Sequence, residues 1–233
     1  MTTESEAHIG APARHRVRFD VLALSGAVTT ALAFAASAPE SPDDPSAAGL
    51  REHLAEAAGA WQAYALLMAC AAAVLVVFLA HLRGALVAAS RSSGRGGVAV
   101  DAGFGAGLLV AAWLLVSAGC TAVVAFGDTA AYDDVSLVSL WGLGEAADMI
   151  GVAAFTVKGL AMASVGVAVL RTCVLGAWLG WLSIALGLIT WVALFVPAMF
   201  YAGIFAFPLW PLAVSIALVV RGFGKRSVPD SAI

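Results

Sequence analysis

The chain has 233 residues, 62% of them hydrophobic and 12% charged, with a mean hydropathy of +0.96 and a formal net charge of -3 at pH 7. Soluble domains run nearer half apolar and a quarter charged, so the composition excludes an ordinary soluble globular protein. The acidic balance and scattered basic residues also exclude a nucleic-acid-binding surface, which needs a basic face.

Crossing about 30 Å of hydrocarbon takes roughly 20 apolar residues. Six segments meet that requirement: residues 20–38, 61–82, 102–125, 147–170, 173–197 and 201–221. They predict an all-α polytopic bundle of six transmembrane helices filling residues 19–223, with outer loops at 39–60 and 126–144. Cytoplasmic tails are expected at 1–18, where disorder is expected, and at 224–233.

The first run follows Arg14, Arg16 and Arg18 and ends in Ala36-Ser37-Ala38. That order also fits a signal peptide, whose removal would leave five spans; the long preceding tail and Pro39 favour retention. Next, Asp44 and Pro45 supply an N-cap acceptor and a proline at the first helical position. Nothing after them breaks a helix before about Ala88. One long helix is expected, half of it projecting beyond the membrane. Leu50 and Leu54 share one of its faces, suited to the other outer loop or to a partner. The loop "RGALVAASRSSGRGG" is basic and rich in Gly and Ser, a connector suited to anionic headgroups and without the pattern of a phosphate loop.

Within the third and fifth spans, Gly103-x3-Gly107 and Gly176-x3-Gly180 let helices approach closely, a feature read as internal packing. Ahead of the fourth span, Ser136 to Leu140 predicts a short interfacial helix, Trp141 suits the membrane boundary, and Gly142 and Gly144 allow a bend. In the sixth, Pro208 and Pro211 predict a kink or a late start. Phe200, Tyr201, Phe205, Phe207 and Trp210 read as an interfacial aromatic belt.

Loop charge sets the orientation. Ten of the twelve basic residues, Arg14, Arg16, Arg18, Arg83, Arg91, Arg95, Arg171, Arg221, Lys225 and Arg226, fall on one side. The other side has Arg51 against Glu40, Asp43, Asp44, Glu52, Glu56, Asp128, Asp133 and Asp134. The positive-inside rule then puts both termini in the cytoplasm, which in a bacterial cell means the inner membrane.

Motifs for chemistry are sparse. Cys70, Cys120 and Cys173 form no CxxC or Cys/His cluster and read as small buried hydrophobes. His8, His15, His53 and His81 all avoid mid-span, so no metal or cofactor site is read from the sequence. No GxSxG, HExxH or Gly-rich dinucleotide pattern occurs. Ser164 lies six residues after Lys158, so the two side chains diverge by about 120° around a helix and make a poor dyad.

Lys158 is the one basic residue left in neither compartment. Glu145 and Arg171 each lie 13 residues from it, about 20 Å along a helix, which puts the lysine near mid-membrane. A charged lysine there costs about 2.5–3.5 kcal/mol on insertion scales. Mid-depth residues on the other spans are Thr29, Thr30, Cys70, Trp113, Ser117, Ser183 and Thr190, none of them a carboxylate. Asp148 is ten residues away on the same helix, about 15 Å. Three readings follow: Lys158 is neutral among hydroxyls, it faces a water-filled cavity opening past Asp148 and Glu145, or it meets an anion that the chain does not supply. Glu145 and Asp148 also suit the start of a helix, where carboxylates meet the dipole favourably.

The Gly144-Glu145-Ala146 opening, the Leu170–Arg171 turn, Trp178 and Trp181 with Gly180, and the closing Arg221-Gly222-Phe223 resemble a family of uncharacterised bacterial membrane proteins defined as a domain of unknown function. The resemblance covers about residues 143–223. It implies a six-helix fold in the cytoplasmic membrane and brings neither a reaction nor catalytic residues.

The sequence thus predicts an integral membrane protein, non-enzymatic: an accessory subunit or a small-ligand or lipid binder with Lys158 as polar anchor. Its partners are the lipid bilayer and an anionic ligand, headgroup or acidic helix. The alternatives are a small proton-coupled carrier using Lys158 with Asp148 and Glu145, and an intramembrane lipid-modifying enzyme, which the motif search disfavours.

Overall fold

The computed structural model describes residues 24–36 and 39–224. The tails, with Arg14, Arg16, Arg18, Lys225 and Arg226, lie outside them, as do residues 20–23 and 37–38 of the first apolar run and the side chains of Asp148 and Arg221.

The described residues form six α-helices: α1 (Ser25–Ala35), α2 (Ala47–Ser93), α3 (Gly97–Phe126), α4 (Asp134–Thr172), α5 (Ala177–Val192) and α6 (Phe200–Gly224), with a short 3-10 turn at Pro197–Met199 before the last. Four helical stretches, Ala47–Arg91, Gly97–Phe126, Asp134–Thr172 and Pro197–Val220, are long and apolar enough to cross a membrane; α1 and α5 are shorter apolar helices. Each helix packs antiparallel on its neighbours in sequence, α1 also packs on α6 to close the ring, and α2 and α4 meet across the middle. The end holding the α1–α2, α3–α4 and α5–α6 connections is termed distal.

The caps explain the long helices. Ser46 is the N-cap of α2, accepting from the Gly49 amide, and Asp44 in turn accepts from the Ser46 amide and hydroxyl. The predicted cap is therefore shifted by two residues, with Asp44 bracing the cap residue. These bonds hold the Asp44 carboxyl below its ordinary range. Asp133 caps α4 by accepting from the Ser136 amide at 2.7 Å, and its carboxyl is lowered by the same cause. At the other end of α2, Gly94 and Gly96 adopt φ of 66° and 91°, the left-handed turn that returns the chain into α3.

Several local expectations change. The interfacial helix at Ser136–Leu140 is the first turns of α4, which runs unbroken through Gly142 and Gly144. Mid-helix glycine costs only about 1 kcal/mol, and the packing of Leu137 and Trp141 against α2 outweighs it. In the first outer segment helix runs from Ala47, as expected of the long projecting helix, whereas in the second it begins already at Asp134, leaving short turns before each. Helix α5 is shorter than its span, because Gly176, with φ 85°, opens it and Pro197 bars helical continuation into its neighbour Val196. Helix α6 starts at Phe200 and runs through both prolines without a late start. The Pro208 carbonyl, in the turn crowded by Pro211, accepts from Thr30 Oγ1 on α1. This bond ties the proline-containing turn of α6 to α1. Phe207 and Trp210, assigned to an aromatic belt, are buried, Trp210 fully, with its indole donating to Ser183 at 3.0 Å. Their positions on α6 face the bundle, whereas Tyr201 and Phe205 face out. Cys70 and Cys173 are exposed rather than buried, Cys173 because it is the left-handed C-cap of α4.

Small residues set the helix spacing. Gly103 leaves room for Val165 of α4, and Gly107 for Leu79 of α2, so that pair packs inside the bundle. On the α4–α5 contact, Gly159 faces Gly187 and Gly166 faces Gly180, each close enough that an added Cβ would meet the opposite carbonyl within 3.0 Å. This seam uses Gly180 with Gly187, one heptad apart, rather than Gly180 with Gly176.

Candidate functional site

Helix α4 carries both features that stand out chemically. In its middle, the Lys158 ammonium lies 4.5 Å from the ring centroid of Trp113, 4.9 Å from that of Phe155 and 5.9 Å from that of Phe207. The rings come from α3, α4 and α6, so the lysine sits where three helices meet. Among the described residues it takes no hydrogen bond or ion pair. Aromatic faces attract cations through their quadrupole, by about 0.5–2 kcal/mol per ring depending on desolvation. Three such contacts roughly offset an insertion cost of about 2.5–3.5 kcal/mol.

The box is built locally. Gly151 stands seven residues before Lys158, on the same helix face. A Cβ there would lie 2.4 Å from the Trp113 ring, so only glycine lets the indole approach α4 this closely. The Trp113 indole N–H donates to the Ala147 carbonyl at 3.0 Å, which fixes the ring's rotation. Phe155, one turn before Lys158 and buried, supplies the second face. Phe207 continues into Trp210 and Phe78 by ring contacts of 6.3 and 5.9 Å. The mid-depth hydroxyls are engaged elsewhere: Thr29, Thr30 and Thr190 donate to carbonyls one turn back, and Ser183 accepts from Trp210.

The second feature is a small, open distal cleft of about 30 Å³ between α2, α3 and α4. Leu54, Trp61, Val124, Ala125, Leu140 and Trp141 give it apolar walls, and Thr121, Cys120 and Glu145 supply its polar side chains. Trp61 and Trp141 meet edge to face at 5.3 Å, and His53 stands 6.2 Å from each. The Trp61 indole donates to His53 Nε2 at 3.2 Å. Leu50, Leu54 and Leu137 are buried beneath these rings, so the projecting face of α2 packs on its own chain. Arg51 closes the rim by pairing with Asp134 at 2.8 Å and donating to the Tyr132 carbonyl at 2.9 Å.

Of the residues singled out from the sequence, Lys158 lies in the aromatic box and Glu145 lines the cleft. The unbroken helix between them keeps the two about 20 Å apart. Asp148 lies on α4 between them, and its side chain is outside the described part of the structure. Sequence reasoning placed Trp113 at the right depth and looked only for carboxylates and hydroxyls as partners. The signal was present in a tryptophan level with the lysine. The cleft's paired indoles gave no such signal, because Trp61 and Trp141 are 80 residues apart. Among the described residues, no group of three or more His, Cys, Asp or Glu could hold a metal ion.

No protein-family model, curated protein or solved structure matches the chain.

Proposed function

We propose that the chain is a polytopic protein of the bacterial cytoplasmic membrane, with six spans and both termini in the cytoplasm. In this reading it is non-enzymatic and acts by binding, as an accessory subunit or as a carrier of a lipid or small ligand within the bilayer. The bilayer reading is supported by the outward faces of the helices, where Leu109, Leu115, Val116, Trp181, Phe195 and Val220 are all exposed. Soluble monomers rarely expose so continuous an apolar surface.

The observation that carries the binding reading is the seating of Lys158 against three rings. Rings from α3, α4 and α6 stand over the ammonium, which makes the partly buried residue an anchor between these helices. A general acid, a Schiff-base former or a coupling group needs access to a reacting partner.

Native mass spectrometry of protein extracted from its own membrane tests the reading. A retained lipid, small molecule or subunit is expected, and Lys158→Met should keep it. Loss of ion or solute flux in proteoliposomes on Lys158→Met, with the fold intact, would replace the reading by the carrier alternative, in which Lys158, Asp148 and Glu145 act together.

A further inference from the structure

We infer that the distal cleft is a binding site for a small organic ammonium, held by the Glu145 carboxylate against the indoles of Trp61 and Trp141. The inference deepens the binding reading above by naming a ligand class, and it places the ligand away from Lys158.

Charge is the first argument. Among the described residues, Glu145 is the only charged one lining the cleft. It is half-buried, and among the described residues it takes no hydrogen bond and no ion pair. A carboxylate withdrawn beside apolar walls without a counter-ion draws in a cation. Arg51, the arginine on this rim, is already committed to Asp134 and the Tyr132 carbonyl, and His53 accepts from the Trp61 indole.

The second argument selects the kind of cation. Hard metal ions require about six or more oxygen ligands, whereas the cleft offers one carboxylate and the Thr121 hydroxyl. Indole faces and aliphatic walls instead suit a weakly hydrated alkylated ammonium, the ion that aromatic cages recognise. An anion is opposed by Glu145, and a neutral apolar guest would gain nothing from it. The same chain shows this chemistry closed upon itself at Lys158, where an ammonium lies over three rings.

Space is the third. A Cβ placed on Gly144 meets nothing within 4 Å, so the cleft is open beside Glu145. The shared ligand chemistry, a methylated ammonium, has two sources: a free quaternary amine, or the choline headgroup of a zwitterionic lipid.

The test titrates the full-length protein, in detergent free of choline lipids, with tetramethylammonium chloride. Sodium chloride at equal ionic strength is the control, and intrinsic tryptophan fluorescence is the readout. A saturable change is expected with tetramethylammonium alone. Glu145→Gln, which keeps shape and removes charge, should weaken it at least about tenfold, and Gly144→Leu should abolish it by filling the cleft. Lys158→Met should leave it unchanged. A response no larger than that to sodium, or one that survives Glu145→Gln, overturns the inference while leaving the binding reading to its own test. A response lost in Lys158→Met but kept in Glu145→Gln moves the ligand to the aromatic box. In nanodiscs, a response in phosphatidylglycerol that disappears in phosphatidylcholine identifies the headgroup as the native source; equal responses identify a free amine.

Discussion

Lys158 and Glu145 stand on one helix and face opposite circumstances. The lysine is mid-helix, and three rings from three helices stand within 6 Å of its ammonium. The glutamate lines an open cleft and has no partner among the described residues. In an apolar bundle, a charge whose counterpart is built into the chain serves the fold. A charge left without one is available to something outside it. The residue that looks more anomalous in the sequence is therefore the more structural of the two.

The comparison can be broken most severely at Trp113. Trp113→Ala should destabilise the protein by about 3–5 kcal/mol, because it opens a cavity and removes the nearest ring from a retained cation. Adding Lys158→Met should recover about 1–2 kcal/mol of that loss, the scale of a desolvated cation–π contact. Thermal unfolding in detergent, run as a double-mutant cycle, measures the coupling; strict additivity would show that the rings do not hold the ammonium. Lys158→Met alone should change stability by less than about 1 kcal/mol, since ring attraction and desolvation roughly cancel. Glu145→Gln without ligand should fall within about 0.5 kcal/mol of the parent, as an unpartnered surface-type substitution does.

The smallest effect belongs to the exposed caps. Both Asp44 and Asp133 have lowered carboxyl pKa values, so their caps stabilise α2 and α4 above the ordinary carboxylate range. That contribution disappears as pH falls through their folded-state values. Hydrogen exchange at the first turns of α2 and α4 should rise on strong acidification, with the middle of α4 unaffected.

Much of this was legible beforehand, for identifiable reasons. Helix number and order follow from apolar run length, and the buried face at Leu50 and Leu54 follows from the spacing of four. The box around Lys158 was half legible, since Trp113 was level with it while Phe207 was assigned to the boundary. Aromatic composition alone cannot tell a ring facing lipid from one facing the bundle; helix rotation decides that, and α6 is rotated by its contacts with Thr30 and Ser183. The continuity of α4 was not legible, because Gly142 and Gly144 weaken a helix locally and only the packing of Leu137 and Trp141 on α2 restores it. The cleft was illegible in principle, since its walls come from three distant segments.

The two ion pairs of α2 have a consequence for how the protein relates to its surroundings. Arg51 is latched to Asp134, and Arg83 to Asp101, with 32 residues of continuous helix between the two arginines. That distance is about 48 Å, against a hydrocarbon thickness of about 30 Å. Helix α2 thereby acts as a gauge fixed at both ends, unable to slip by one turn without releasing both latches. The two ends of α2 are thereby tied to α4 and to α3 at a fixed separation, so the register of the three helices is set twice over.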